Sequence, residues 1–182
     1  AIADIYDVAG PNLVANGLFE VDASGWVGSN ATIGRSTLQA HQGVGSLLIT
    51  PNGSSASGGA NATTTVPVVA GRNYRVSMWV YCGLGWTDLG PAIDWANGLG
   101  VYITTGFGGG TVAAATWVFK SAVLTAPVGA ATATVRARHG GTPAASRTWY
   151  VDEVSFAAEP LSLADLAADY ATLLDLAQAD LS

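Results

Sequence analysis

Along residues 12–156 polar and apolar positions alternate in short stretches, separated every ten or so residues by glycine or by small clusters of Thr, Ser, Asn and Ala. A period of two marks strands with one buried face, and many short strands at regular spacing predict an all-β sandwich. The clearest stretch covers residues 74–81, where Tyr74, Val76, Met78 and Val80 share one face and Arg75, Ser77, Trp79 and Tyr81 the other. The same alternation sets Val101 and Ile103 opposite Tyr102 and Thr104, and Ala133, Val135 and Ala137 opposite Thr134, Arg136 and Arg138. Further strands are expected at 46–50, 62–69, 116–124 and 148–156. Asn16-Gly17, Asn52-Gly53 and Asn97-Gly98 signal turns, and Pro67 an edge strand or a bulge. Residues 82–100 are expected to form a long connection, of the kind that tends to carry function, holding Trp86, Asp88, Asp94 and Trp95.

After Pro160 the period changes. Leu163, Leu166, Tyr170, Leu173 and Ala177 step by three and four, and Ser162 with Asp165 resembles an N-cap followed by an acidic third position. The spacing predicts a C-terminal α-helix that packs on the β domain, continues into a larger assembly, or self-associates through its apolar stripe. The organisation expected is an N-terminal extension (1–11), a β domain (12–158) and an acidic helix (159–182).

Composition narrows the function. Apolar residues make up 49% of the 182 and charged residues 11%, enough for a core and too few charges for charge-driven disorder. The formal charge of -6 argues against nucleic acid as a partner. Glu159, Asp165, Asp169, Asp175 and Asp180 put five of the acids in the tail, which has no Lys or Arg, so the β domain is nearly neutral. Cys82 is the single cysteine and cannot form an intramolecular disulfide. No apolar run reaches the length of a membrane span, and the opening residues are acidic where a signal peptide would be basic, so a soluble chain or an excised piece is expected.

Four segments occur in an order that resembles one family. These are Asn12-Leu-Val-Ala-Asn16-Gly17-Leu-Phe19-Glu20 with Gly25-Trp26; Gly43-Val-Gly45-Ser46-Leu47; Tyr74-Arg-Val-Ser77-Met-Trp79-Val80; and Trp149-Tyr150-Val151-Asp152-Glu153-Val154-Ser155-Phe156. Together they resemble carbohydrate-binding modules of the family 4/9 type, with Glu153 at the usual second acid of the closing strand. The resemblance implies a galactose-binding-like jelly roll that binds glycan without catalysis. Such domains occur beside secreted glycoside hydrolases and in phage tail proteins. With one Lys, abundant Ala, Gly and Thr, and a helix in place of a linker, the chain looks more like the tail setting. The expected location is therefore a virion or the extracellular space. The expected partners are a cell-surface or cell-wall glycan and, through the helix, other tail or assembly proteins. The rival expectation is a structural tail or decoration domain using the same fold for protein contacts only.

The resemblance also implies that Glu20 and Asp152 help hold a structural Ca2+, which takes six to eight hard oxygens, with carbonyls of the glycine-containing turn at 41–45 completing the set. For sugar, an aromatic ring stacks on the apolar face of a pyranose while polar side chains bind its hydroxyls. One mixed strand face is expected to supply Arg75, Trp79, Tyr81, Tyr102, Arg136 and Arg138, overhung by a loop carrying Trp86, Asp88, Asp94 and Trp95. Trp86 and Trp95 are expected either to be stacking platforms or to anchor the loop to the body, Trp79 is expected to serve the structure before the ligand, and Trp26 and Trp117 are expected in the core. An enzyme is not expected, because His41 and His139 stand in no metal-binding spacing and beside no nucleophile motif.

Overall fold

The computed structural model of the chain describes residues 10–144 and 147–160, together with Tyr170. Apart from Tyr170 the expected C-terminal helix lies outside the described residues, as does most of the N-terminal extension. The described chain is built from strands β1 (Trp26–Ser29), β2 (Ala31–Ser36), β3 (Ser46–Pro51), β4 (Ser57–Ala62), β5 (Val66–Pro67), β6 (Asn73–Tyr81), β7 (Trp86–Ala96), β8 (Tyr102–Phe107), β9 (Gly110–Val112), β10 (Trp117–Thr125), β11 (Thr132–Gly140) and β12 (Trp149–Ala158). They form a five-stranded sheet in the order β10-β6-β12-β3-β2 and a seven-stranded sheet in the order β1-β4-β11-β7-β8, with β5 added to β11 and β9 to β7. The paired strands run antiparallel.

The inner faces meet in one core. From the five-stranded sheet come Leu47, Ile49, Val76, Met78, Val80, Trp149 and Phe156, and from the seven-stranded sheet Leu89, Ile93, Trp95, Ala133, Val135 and Ala137. Strand β6 follows its sequence pattern without a break, Tyr74, Val76, Met78 and Val80 all pointing inward. In β12 the large apolar side chains that are buried are Trp149 and Val151, then Val154 and Phe156, a slip of one residue in the alternation. A bulge between Asp152 and Ser155 absorbs that slip, with Glu153 at φ 51. The N-terminal segment is tied to β12 by Asn12, whose side-chain carbonyl accepts from the backbone N–H of Val14 and Phe156 and whose amide donates to Val154 O.

Two expectations are corrected here. Residues 82–100 are not an open loop, because β7 runs through them as an 11-residue strand. A register shift between Trp86 and Leu89 breaks the alternation, and Gly90 and Pro91 disguise the rest. Trp117 is not core either: it stands half-buried on the outer face of the five-stranded sheet, opposite Tyr81.

His139 sits on the inner face of β11, wholly buried, with Nε2 unpartnered and Nδ1 on the carbonyl of Gly141. Burial holds its imidazole below the ordinary value of 6.5, and the charge of neighbouring Arg138 pushes the same way. The unfolded chain therefore takes up a proton that the native state resists, and stability should fall as pH drops below 6.5. Melting temperatures measured between about pH 7.5 and pH 5 should decline less steeply in His139→Met than in the parent. Parallel curves would contradict this assignment. Asp152 acts in the opposite sense and lower on the pH scale: burial raises its carboxyl above 3.8, so protonation there favours the native state.

Candidate functional site

Registers across the seven-stranded sheet decide which side chains share its outer face. Arg136 in β11 stands opposite Asn61 in β4 on one side and Ala92 in β7 on the other, while Asp94 in β7 stands opposite Thr105 in β8. The side chains join into one hydrogen-bonded row. Arg136 Nε donates to Asn61 Oδ1 at 2.9 Å, and Arg136 Nη1 donates to both Asp94 oxygens at 3.1 and 2.9 Å. The Thr105 hydroxyl donates to Asp94 Oδ1 at 2.5 Å and lies 3.0 Å from the Tyr102 hydroxyl. Four strands at the usual spacing make this row about 14 Å long.

Beside it, Arg138 donates from Nε to the Ser57 hydroxyl at 2.8 Å and lays its guanidinium over the Phe107 ring, 4.5 Å from the centroid. The Arg136 and Asp94 side chains are only 14% and 24% exposed, so their pairing is stronger than that of a solvated surface pair. Yet the row is not saturated. Among the described residues Arg136 Nη2, Asn61 Nδ2 and both terminal nitrogens of Arg138 have no protein partner. These are fixed, water-facing donors. Tyr102, 60% exposed at one end of the row, and Phe107 supply ring surface.

The single mixed face expected from the alternation is divided. Arg136, Arg138, Tyr102 and Asp94 come together on the seven-stranded sheet, whereas Arg75, Trp79 and Tyr81 lie on the outer face of the five-stranded sheet, across the core. Arg75 there is engaged by Glu159 at 2.8 Å. Trp95 is no platform, since at 2% exposure it belongs to the core. Trp86, at 8%, is anchored at one end of the sandwich by its indole N–H, which donates to Gly140 O at 3.0 Å. Asp88 packs against Gly140, away from the row. Sequence reasoning missed Asn61, Thr105, Ser57 and Phe107, and the only sign of them is that each is a polar or aromatic residue at an outward register position.

The outer face of the five-stranded sheet has a different character. His41 stacks on Trp79 with centroids 3.7 Å apart, and Trp79 packs against Phe119, Tyr81 against Trp117 and Tyr150. These rings pack on one another, and among the described residues Trp79 Nε1, Tyr81 Oη, Trp117 Nε1 and Tyr150 Oη have no protein partner.

Glu20 and Asp152 converge on the turn that precedes β3. Asp152, wholly buried, accepts the backbone N–H of His41, Gln42 and Glu153, and Glu20 accepts that of Val44. Gly43 has φ 68, a conformation that favours glycine, and the Glu20 carboxylate lies where a Cβ would stand. A hard cation at Glu20 and Asp152 would be held by the lone pairs that these backbone N–H groups leave free. Among the described residues no group of three or more His, Cys, Asp or Glu side chains gathers, so the remaining oxygens would be main-chain carbonyls.

Residues 11–143 match the model of a family described as a carbohydrate binding domain. No curated protein matches the chain. Among solved structures, the CBM22-1 xylan-binding domain from Paenibacillus barcinonensis Xyn10C is similar at 19% identity and a TM-score of 0.67, over 85% of this chain and 98% of that one. The C-terminal family 22 carbohydrate binding module of Clostridium thermocellum Xyn10B is similar at 23% identity and a TM-score of 0.63, over 80% of this chain and 96% of that one. The enzymatically active domain of bacteriophage CBA120 tailspike protein 4 is similar at 16% identity and a TM-score of 0.60, over 81% of this chain but 21% of that one. At these identities the likeness to solved structures is one of fold.

Proposed function

We propose, from the chain's membership of the carbohydrate binding domain family, that it binds a neutral glycan on the outer face of the seven-stranded sheet and performs no chemistry on it. The observation that carries this reading is the row from Asn61 through Arg136 and Asp94 to Thr105 and Tyr102, held in place by its own hydrogen bonds with donors left over. Such donors suit the hydroxyl and ring oxygens of a sugar chain laid across the strands, and preorganisation spares the ordering cost of binding. Tyr102 and Phe107 offer apolar ring surface to sugar C–H groups. Asp94, the acid of the row, has both oxygens engaged by Arg136, which suits a positioning role rather than proton transfer. A glycan-array screen of the purified chain tests this: retention of oligosaccharides is expected, and a blank array would overturn it.

The finer reading is that the domain tethers a larger assembly, a phage tail, to a cell-surface polysaccharide. What supports it is the composition of the chain and the occurrence of this fold within a phage tailspike. The reading in which the fold serves protein contacts alone is favoured by a different observation, the aromatic face around Trp79 and Phe119, where Phe119 is 50% exposed.

A structural Ca2+ at Glu20 and Asp152 belongs to the same proposal. An ion bound only by the native state stabilises it by mass action, so excess chelator should lower the melting temperature by about 5–10 °C. Glu20→Ala and Asp152→Ala should each abolish the difference between chelated and Ca2+-loaded samples. An unchanged melting curve in chelator would remove the ion from the account.

A further inference from the structure

At the end of the sandwich where β7 begins and β11 ends lies a cavity of about 530 Å3, separate from the row of donors. Gly140, on its wall, is four residues along β11 from Arg136, or about 13 Å. Trp86 forms one side, and Thr87, Thr111 and Thr142 bring hydroxyls to the others. Arg147 is the one charged residue of the lining, and its guanidinium lies over the Trp86 ring, 5.0 Å from the centroid. Among the described residues it has no carboxylate partner, unlike Arg75 and Arg136. A second positive charge backs the wall: Lys120 Nζ donates to the carbonyl of Thr111 at 2.6 Å. Asp88 packs against Gly140 without lining the cavity.

The stacking on Trp86 matters for what Arg147 can do. An indole fixed by its own hydrogen bond to Gly140 O holds the guanidinium plane by a cation–π contact. A guanidinium so held presents its N–H edge as a bidentate fork, the geometry that matches a carboxylate. A positive charge with no ion-pair partner among the described residues, in a pocket whose other walls combine threonine hydroxyls and main chain with the apolar side chains of Leu84, Val112 and Pro143, calls for a ligand with one carboxylate, several hydroxyls and an apolar ring face.

We propose that this cavity is a second saccharide subsite that takes a uronic acid unit, its carboxylate on Arg147 and its ring hydroxyls on the threonines. The proposal rests on the glycan-binding reading but uses a different surface, so the two can fail separately. The probe is sodium glucuronate, followed through the Trp86 indole N–H resonance, with glucose and acetate as controls. Glucuronate is expected to shift that resonance saturably, with glucose and acetate each at least about tenfold weaker. Arg147→Gln should weaken glucuronate about tenfold or more, Arg147→Lys should fall between, and Arg136→Met should leave it unchanged. Full-strength binding by Arg147→Gln, equal binding of acetate, or no saturable shift would each overturn the subsite. Loss of glucuronate binding in Arg136→Met would overturn it as well, by moving the ligand to the sheet face. A neutral oligosaccharide that binds the parent and Arg147→Gln alike would leave the sheet-face reading intact even then.

Discussion

Arg136→Met should cost the domain most of its affinity for neutral glycan while leaving it folded. Arg136 is the centre of the row, bonded to Asn61 on one side and to both oxygens of Asp94 on the other. Its Nη2 donors face outward, and a charge-assisted bond to a sugar oxygen contributes about 1.5–3 kcal/mol, or about 10- to 150-fold in affinity. Methionine keeps most of the apolar stem but none of the donors, and it frees Asp94 and Asn61 to turn away from the ligand. Stability should suffer less, by about 1–2 kcal/mol, because Asp94 keeps the Thr105 hydroxyl and gains water. Isothermal titration against a glycan identified on the array, with a parallel melting curve, separates the two effects. Unchanged affinity in a folded Arg136→Met protein would remove the row from the binding site.

Trp95→Ala should do the reverse. The ring is enclosed between the sheets, close to Tyr74 at a centroid distance of 6.1 Å and against the backbone of Gly106. Replacing a buried tryptophan with alanine costs about 3–5 kcal/mol through lost burial and the cavity left behind. For a domain of this size that lowers the melting temperature by about 10 °C or more. The fraction that remains folded should bind glycan with parental affinity. Calorimetry and titration on the same sample check both halves. A melting temperature within about 2 °C of the parent, combined with lost binding, would restore Trp95 as a stacking platform.

Why Trp95 invites misreading from sequence is instructive. From Leu89 the odd positions of β7 are Leu89, Pro91, Ile93 and Trp95, an inward face that is apolar throughout. The register shift ahead of Leu89 puts Trp86 out of phase with them, and Gly90 and Pro91 read as turn residues, so the alternation is hidden in a strand that lies near the middle of its sheet. In β12 the same kind of slip does no harm, because Trp149, Val151, Val154 and Phe156 are large enough to mark both halves. Alternation also says which residues of one strand share a side but not which side of which sheet. Arg75 and Arg136 each fall on a polar face of a well-read strand, and only strand order, which depends on long-range pairing, sends them to opposite surfaces. Asn61, Thr105 and Ser57 are ordinary strand residues until the register sets them beside Arg136, Asp94 and Arg138. Glu20 and Asp152 do reach one turn, as the resemblance implied, but the turn gives them backbone N–H groups at 41, 42 and 44, which alternation along the strands does not reveal.

Glycan on the outer face of the seven-stranded sheet and glycan on the aromatic face of the other predict different perturbed residues. The most direct measurement is a backbone and side-chain NMR titration of the whole chain with a neutral oligosaccharide identified on the array. The largest shifts are expected at Asn61, Asp94, Tyr102, Thr105 and the Arg136 guanidinium, with Trp79, Tyr81 and Phe119 unmoved. Shifts centred on Trp79 and Phe119, with the Arg136 row silent, would contradict it.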